Sequence, residues 1–149
     1  MRSNKQYAHL TVIVAVNETR IEATRILLDN HGLSDVPIVA VHSEEYVDAL
    51  VASKYLVNNS TFPTYFIKRS GQIYLNTWHG TPLKAMGRKI IDEPHKTGNT
   101  QRNFLMSDYL LYPNEYSFEH FKNDYMIAPY FSGKYVFKRL PVQRRALRQ

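Results

Sequence analysis

Short apolar runs alternate with mixed segments over the first 60 residues. The runs lie at Leu10–Val16, Val36–Val41 and Lys54–Asn58, and each is rich in residues that favour strands. The first mixed segment predicts a helix that ends at Gly32, and the second predicts one from Ser43 to Ala52. Continuous apolar strands joined by helices are typical of parallel sheets covered on both faces. The pattern therefore predicts an α/β chain with a Rossmann-like parallel sheet and flanking helices, its first three strands being neighbours.

The pattern changes after residue 60. A turn at Ser70-Gly71 precedes a predicted strand from Gln72 to Thr77. Residues 81–103 are polar and rich in proline and glycine, which predicts a long loop with a short helix near 83–91. Residues 103–110 are predicted to be helical, 110–112 to form a short strand, and 117–124 to form another helix.

The charge distribution argues against a nucleic-acid binder. The 149 residues carry a formal net charge of +6, but five of the 19 basic residues lie in residues 138–149, where there is no acid. The remainder, residues 1–137, holds 14 basic and 13 acidic residues and is nearly neutral. We expect residues 1–137 to be one domain and residues 138–149 to be a poorly ordered basic tail that can be deleted with little effect on melting.

Several function classes are excluded by what the sequence lacks. There is no cysteine, so disulfides, thiolate nucleophiles and cysteine-type zinc sites are ruled out. The turn after the first strand has no glycine-rich dinucleotide fingerprint, and no spacing of metal ligands stands out, so neither cofactor nor metal is predicted. The polar N-terminus and the lack of a long apolar run predict a cytoplasmic location.

The densest group of reactive residue types follows the predicted strand 72–77. It contains Asn76, Trp78, His79, Gly80 and Lys84. Ligands of open α/β sheets bind at the carboxyl ends of strands, and an imidazole there can remove a proton from an alcohol. The residues alone leave two interpretations open: His79 is a general base, or it is a hydrogen-bonded histidine beside a core tryptophan.

Longer blocks carry a resemblance to a known family. They are residues 52–59, residues 72–84 with Trp-His-Gly-Thr-Pro-Leu-Lys, residues 98–104 with Gly-Asn-Thr-Gln-Arg-Asn-Phe, and residues 108–116. This ordered set resembles the CDP-glycerol:poly(glycerophosphate) glycerophosphotransferases of teichoic acid synthesis, over roughly residues 8–137. The resemblance implies the N-terminal half of a GT-B-like fold, which holds the acceptor, whereas the other half binds CDP.

The resemblance also implies roles for individual residues. His79 matches the histidine base that deprotonates the acceptor hydroxyl for attack on the β-phosphorus of CDP-glycerol. Six further residues are expected to contact substrate: Asn76, Trp78, Gly80, Thr81, Lys84 and Arg102. Lys84 and Arg102 are candidates for phosphate contacts, and each could equally be a solvated surface charge.

The chain departs from the family pattern after Phe137, where a basic tail replaces the expected Gly-Tyr-Pro turn and second domain. We interpret this as a truncated or frameshifted product, for which the alternative function is a non-catalytic module that binds the acceptor. The expected acceptor is a teichoic acid or lipid-linked glycerol phosphate, and CDP-glycerol is expected to serve as donor only if a C-terminal half is supplied. No nucleic acid is expected, and peripheral association with the inner face of the cell membrane stays open.

Overall fold

The computed structural model describes residues 7–80, 85–90 and 94–137, which form two units. The first unit ends at Ser53 and the second begins at Lys54. Strands pair only in parallel in both units, and helices flank them, so the predicted α/β class is confirmed. No helix in the described ranges is both long and apolar enough to cross a membrane.

The first unit is a two-stranded parallel sheet with two helices. Its strands pair Val14 with Ile38 and Val16 with Ala40. The side chain of Arg25 donates to the carbonyls of Ser34 and Val36, which fixes the first helix to the loop before the second strand. In chain order the elements are β1 (Val14–Val16), α1 (Ile21–Asp29), β2 (Ile38–Ala40) and α2 (Glu44–Ala52).

The end of α1 and the start of α2 follow the sequence signals. Gly32 has φ +67°, the left-handed conformation that was predicted to end α1. The hydroxyl of Ser43 accepts the N–H of Tyr46, so Ser43 caps α2 as predicted. A 3-10 turn over Glu18–Arg20 directly precedes α1.

The second unit is a four-stranded parallel sheet with strand order β3-β4-β5-β6. Its hydrophobic core cluster combines side chains of its two helices, of one inner strand and of the segment after the second helix: Phe104, Leu110, Tyr112, Phe121, Tyr125 and Ile127. In chain order the elements are β3 (Tyr55–Asn58), β4 (Ile73–Asn76), α3 (Pro94–Met106), β5 (Tyr109–Tyr112), α4 (Glu115–Asp124) and β6 (Lys134–Phe137).

Two sequence predictions are wrong in detail. The strand at 54–58 was expected beside the first two strands, but β3 pairs with β4 in the second sheet. The predicted loop at 81–103 contains most of α3, since Pro94 is the first helical residue, where a missing N–H costs nothing, and Gly98 is exposed within the helix. The basic tail, residues 138–149, lies outside the described residues.

Candidate active site at the end of strand β4

His79 lies three residues beyond the carboxyl end of β4, as the sequence predicted. Its side chain is exposed, and its ring stacks on that of Trp78 with a centroid distance of 4.4 Å and an interplanar angle of 29°. The adjacent strand β3 ends at the same edge of the sheet, so the residues that follow it lie near this histidine. Both chain segments contribute to its position.

One hydrogen bond determines which nitrogen of the neutral His79 ring carries the proton. Nδ1 lies 2.7 Å from the carbonyl oxygen of Asn59. A carbonyl oxygen can only accept, so Nδ1 carries the proton in this bond and the neutral ring keeps its lone pair on Nε2. The geometry therefore holds the imidazole in the tautomer that can accept a proton at Nε2.

The indole of Trp78 stacks on the ring of His79, and the backbone of Trp78 has a conformation that few residues adopt. Its φ is +49°, in the left-handed region, which is costly for a bulky side chain and common at functional turns. Two rings hold the indole in place, because it packs edge-on against Phe104 and Phe121 at 5.3 Å from each. The backbone N–H of Trp78 donates to Oδ1 of Asn76 at 2.8 Å, which closes the turn.

Asn76 lies below this turn and is only 1% exposed. Besides accepting from Trp78, it donates from Nδ2 to the carbonyl of Ser60 at 2.9 Å and to the hydroxyl of Tyr74 at 2.8 Å. All three hydrogen bonds join Asn76 to other parts of the protein, and the substrate contact expected of this side chain stays a prediction.

The other expected substrate contacts are placed differently. Gly80 is half-buried and a Cβ there would meet nothing within 4 Å, so there is room for a close approach. Arg102 donates to the carbonyls of Pro63 and Phe66 and to the side chain of Asn99, which ties α3 to the β3–β4 connection. Thr81 and Lys84 lie outside the described residues.

Two residues of the site were missed in the sequence analysis. Asn59 supplies the carbonyl that orients His79, and its position directly after a strand could have indicated it. Asn103 is fully buried on α3, accepts the N–H of Phe62 at 2.8 Å and donates to its carbonyl at 3.2 Å. Because the side chain of Asn103 binds both the N–H and the carbonyl of Phe62, it holds the loop that follows Asn59.

The tyrosines near this edge are not candidate bases. Burial, with a smaller effect from neighbouring Tyr135, raises the pKa of Tyr112 far above its ordinary value. Burial likewise raises the pKa of Tyr135. Both side chains therefore stay neutral and serve as packing in the second unit.

A second polar feature lies at the opposite edge of the sheet. A pocket of about 270 Å³ is lined by Lys68, Asp108, Gly133 and Lys134, among others, at the amino ends of β5 and β6. In the parts of the chain that the structure describes, no cluster of three or more histidine, cysteine or acidic side chains is arranged to hold a metal ion.

Comparisons with known proteins agree on one family. The family model described as CDP-glycerol:poly(glycerophosphate) glycerophosphotransferase matches residues 1–130. A teichoic acid poly(glycerol phosphate) polymerase of Bacillus spizizenii is 37% identical over 113 residues, 70% of this chain and 28% of the relative. A teichoic acid glycerol-phosphate transferase of Staphylococcus aureus is 33% identical over 101 residues, 63% of this chain and 26% of the relative.

Solved structures give the same result. A structure of the wall teichoic acid polymerase TagF matches with a TM-score of 0.61 and 29% identity, over 75% of this chain and 29% of that one. A variant of TagF soaked with CDPG matches with a TM-score of 0.54 and 33% identity, over 60% and 24%. The chain thus spans under a third of the length of these relatives.

Proposed function

This chain belongs to the CDP-glycerol:poly(glycerophosphate) glycerophosphotransferase family, and from that membership we propose that it supplies the acceptor-side half of a transferase. The transferase moves glycerol phosphate from CDP-glycerol to a hydroxyl of a growing teichoic acid or of a lipid-linked glycerol phosphate primer. In this proposal the chain forms one half of a GT-B-like pair, the other half binding the CDP group. A lipid-linked acceptor would bring the protein to the inner face of the cell membrane.

The observation that carries the proposal is the hydrogen bond between Nδ1 of His79 and the carbonyl of Asn59. Because Nδ1 keeps its proton and donates it in a hydrogen bond to the carbonyl of Asn59, Nε2 has a free lone pair on an exposed ring. In the reaction, Nε2 removes the proton from the terminal hydroxyl of the acceptor. The resulting oxygen attacks the β-phosphorus, a new P–O bond forms, and the bond from that phosphorus to the CMP oxygen breaks, so that CMP leaves with the electron pair.

Such a transfer asks for little covalent chemistry from the protein. Phosphoryl-type transfer depends mainly on alignment of the attacking and leaving oxygens and on neutralisation of phosphate charge. The stack on Trp78 and the bond to Asn59 supply alignment. Gly80 leaves space beside the ring, and we assign Lys84 and Thr81 to contacts with the phosphates on their place in the sequence motif.

A complementation assay tests the proposed function. The chain is joined to the remaining part of a related polymerase, and incorporation of labelled glycerol phosphate from CDP-glycerol into a poly(glycerol phosphate) acceptor is measured. We expect transfer by the joined protein and none by residues 1–149 alone. A joined protein that binds both substrates without transfer would favour the non-catalytic acceptor-binding module, and transfer by the short chain alone would contradict the assignment of the donor site to another half.

A further inference from the structure

We propose that Asn76 is a positioning residue that sets the tautomer and the orientation of His79. The importance of this role for catalysis rests on the proposed function, whereas the role itself rests on contacts within the second unit. His79 has two supports, the carbonyl of Asn59 beside Nδ1 and the indole of Trp78 beneath the ring. The side chain of Asn76 is bonded to both of the segments that provide them.

The two ends of the Asn76 amide act on different supports. Its oxygen accepts the N–H of Trp78 at 2.8 Å and so holds the left-handed turn that places the indole under the imidazole. Its nitrogen donates at 2.9 Å to the carbonyl of Ser60, the residue next to Asn59. Only a planar group with one acceptor and one donor end can make both bonds, which is the inventory of an amide.

A buried chain of hydrogen bonds fixes Asn76 in turn. The second donor of its amide goes to the hydroxyl of Tyr74 at 2.8 Å, and that hydroxyl lies 3.4 Å from Oδ1 of Asn103. All three side chains are at most 1% exposed. Asn103 also holds both backbone groups of Phe62. A buried network with every member paired has one preferred arrangement, so it transmits the geometry of α3 to the turn that carries His79.

The consequence concerns the proton on the imidazole. If the donor end of residue 76 is lost, the carbonyl of Ser60 loses its partner and the adjacent carbonyl of Asn59 is no longer held against Nδ1. The ring is then free to place its proton on Nε2, where a lone pair is required for the proposed role. A change at a buried residue behind the histidine would thereby alter which nitrogen can accept a proton.

Nitrogen-15 NMR of the His79 ring in the 149-residue chain tests the proposal, at a pH where the ring is neutral. The variant Asn76→Asp keeps an oxygen for the Trp78 N–H and removes the donors, while Asn76→Ala removes both ends. We expect the ratio of the Nδ1–H to the Nε2–H tautomer to fall about three- to tenfold in each, the effect of one net hydrogen bond.

The matched control is Asn58→Asp. Asn58 is the last residue of β3, directly before Asn59, and its side-chain oxygen, which accepts the N–H of Ser60 at 2.8 Å, is retained in this variant. It adds the same charge without removing a donor to Ser60, so the tautomer ratio should stay at the wild-type value. Folded Asn76 variants with the wild-type ratio, or an equal change in Asn58→Asp, would overturn the proposal.

If neither Asn76 variant folds, Tyr74→Phe decides the question. It removes only the hydroxyl that accepts from Asn76, and the tautomer ratio should fall in the same direction by a smaller factor. An unchanged ratio in folded Tyr74→Phe would overturn the proposal.

In the joined transferase, Asn76→Asp should lower kcat and leave KM for CDP-glycerol unchanged. Absence of transfer in the wild-type protein would contradict the proposed function alone, because the NMR result does not depend on transfer.

Discussion

At the scale of single residues, Asp108 is the clearest electrostatic contact of the second unit. Its carboxylate accepts from Nζ of Lys68 and from the N–H of Tyr74, both at 2.7 Å, and so joins the start of β5 to β4 and to the preceding loop. Partial burial alone would raise the pKa of Asp108. The hydrogen bonds from Lys68 and Tyr74, with the lysine charge, outweigh it and hold that pKa below its ordinary value.

The first prediction is a pH-dependent loss of stability in Asp108→Asn. Because the pKa is lower in the folded than in the unfolded state, the stabilisation is present above about pH 4 and is lost as the pH falls through the folded-state value. Asp108 is partly exposed, so we expect a loss of only about 1 kcal/mol in the free energy of unfolding at neutral pH. Urea unfolding of both proteins from neutral pH downward measures it.

The control for this prediction is Glu119→Gln. It removes the Lys122 pair on the exposed surface of α4, and it should cost about 0.5 kcal/mol or less. A difference between wild type and Asp108→Asn that persists undiminished below about pH 3 would contradict the assignment of the effect to the ionised carboxylate.

The sequence could select His79 but not the roles of the residues around it. A histidine after a strand end is visible in the sequence, whereas the direction of the Asn76 side chain depends on Ser60 and Tyr74, which the pattern does not connect to it. Arg102 shows the same limit. Its charge suggested a phosphate contact, but three oxygen acceptors of the protein surround its guanidinium group.

At the scale of elements, the 3-10 turn Gly87–Lys89 shows why a glycine is required at one position. Gly87 has φ +56°, and a Cβ there would overlap the backbone carbonyl of Asp124 at the end of α4. The hydroxyl of Thr97 on α3 donates to the carbonyl of Gly87, and the ammonium group of Lys89 pairs with the carboxylate of Asp124 at 2.8 Å. The turn is thus held against both helices.

The second prediction compares two glycines. Gly87→Ala should lower the free energy of unfolding by at least about 2 kcal/mol, because it combines backbone strain with overlap at Asp124. Gly98→Ala should raise it by about 0.5–1 kcal/mol, since Gly98 is exposed within α3 and a Cβ there meets nothing within 4 Å. Denaturant unfolding measures both. Equal effects of the two substitutions would contradict this account of the turn.

The sequence predicted most elements but only the last residues of α3. Strand and helix periods identified β1, α1, β2, α2 and α4, because each has an apolar pattern and a local start or stop signal. In α3 the first residue is Pro94 and Gly98 lies in its second turn, so two residues that commonly interrupt helices indicate a loop in the sequence pattern. The helix is instead secured by nonlocal contacts, such as those of Asn103 and Phe104 with the rest of the second unit.

At the scale of the whole molecule, the two units differ in how much they bury. No residue of α1 is buried, whereas the second unit contains a cluster of six buried apolar and aromatic side chains. The strands themselves were predictable because short apolar runs rich in β-branched residues favour strands, although alternate residues of β3 are exposed. The pairing of β3 with β4 was not, because a hydrogen-bonded neighbour is a nonlocal property of the chain.

The third prediction is that amide exchange separates the units. The amides of α1 should exchange through local openings and therefore faster than those of β5, which should approach the free energy of global unfolding. Hydrogen exchange followed by NMR measures both in one sample. Protection of α1 equal to that of β5 would show that burial in the described structure does not govern local stability in this chain.

The central claim is that His79 accepts the proton in glycerol phosphate transfer, and the rate of a single turnover tests it most directly. In the protein joined to a donor half, His79→Ala should lower the rate by about 10²–10⁴-fold, the contribution of a positioned base, with the fold intact. His31→Gln is the matched control, since Nδ1 of His31 also lies 2.8 Å from a backbone carbonyl, that of Leu27, and its rate should equal the wild-type rate. A wild-type rate in folded His79→Ala would contradict the claim.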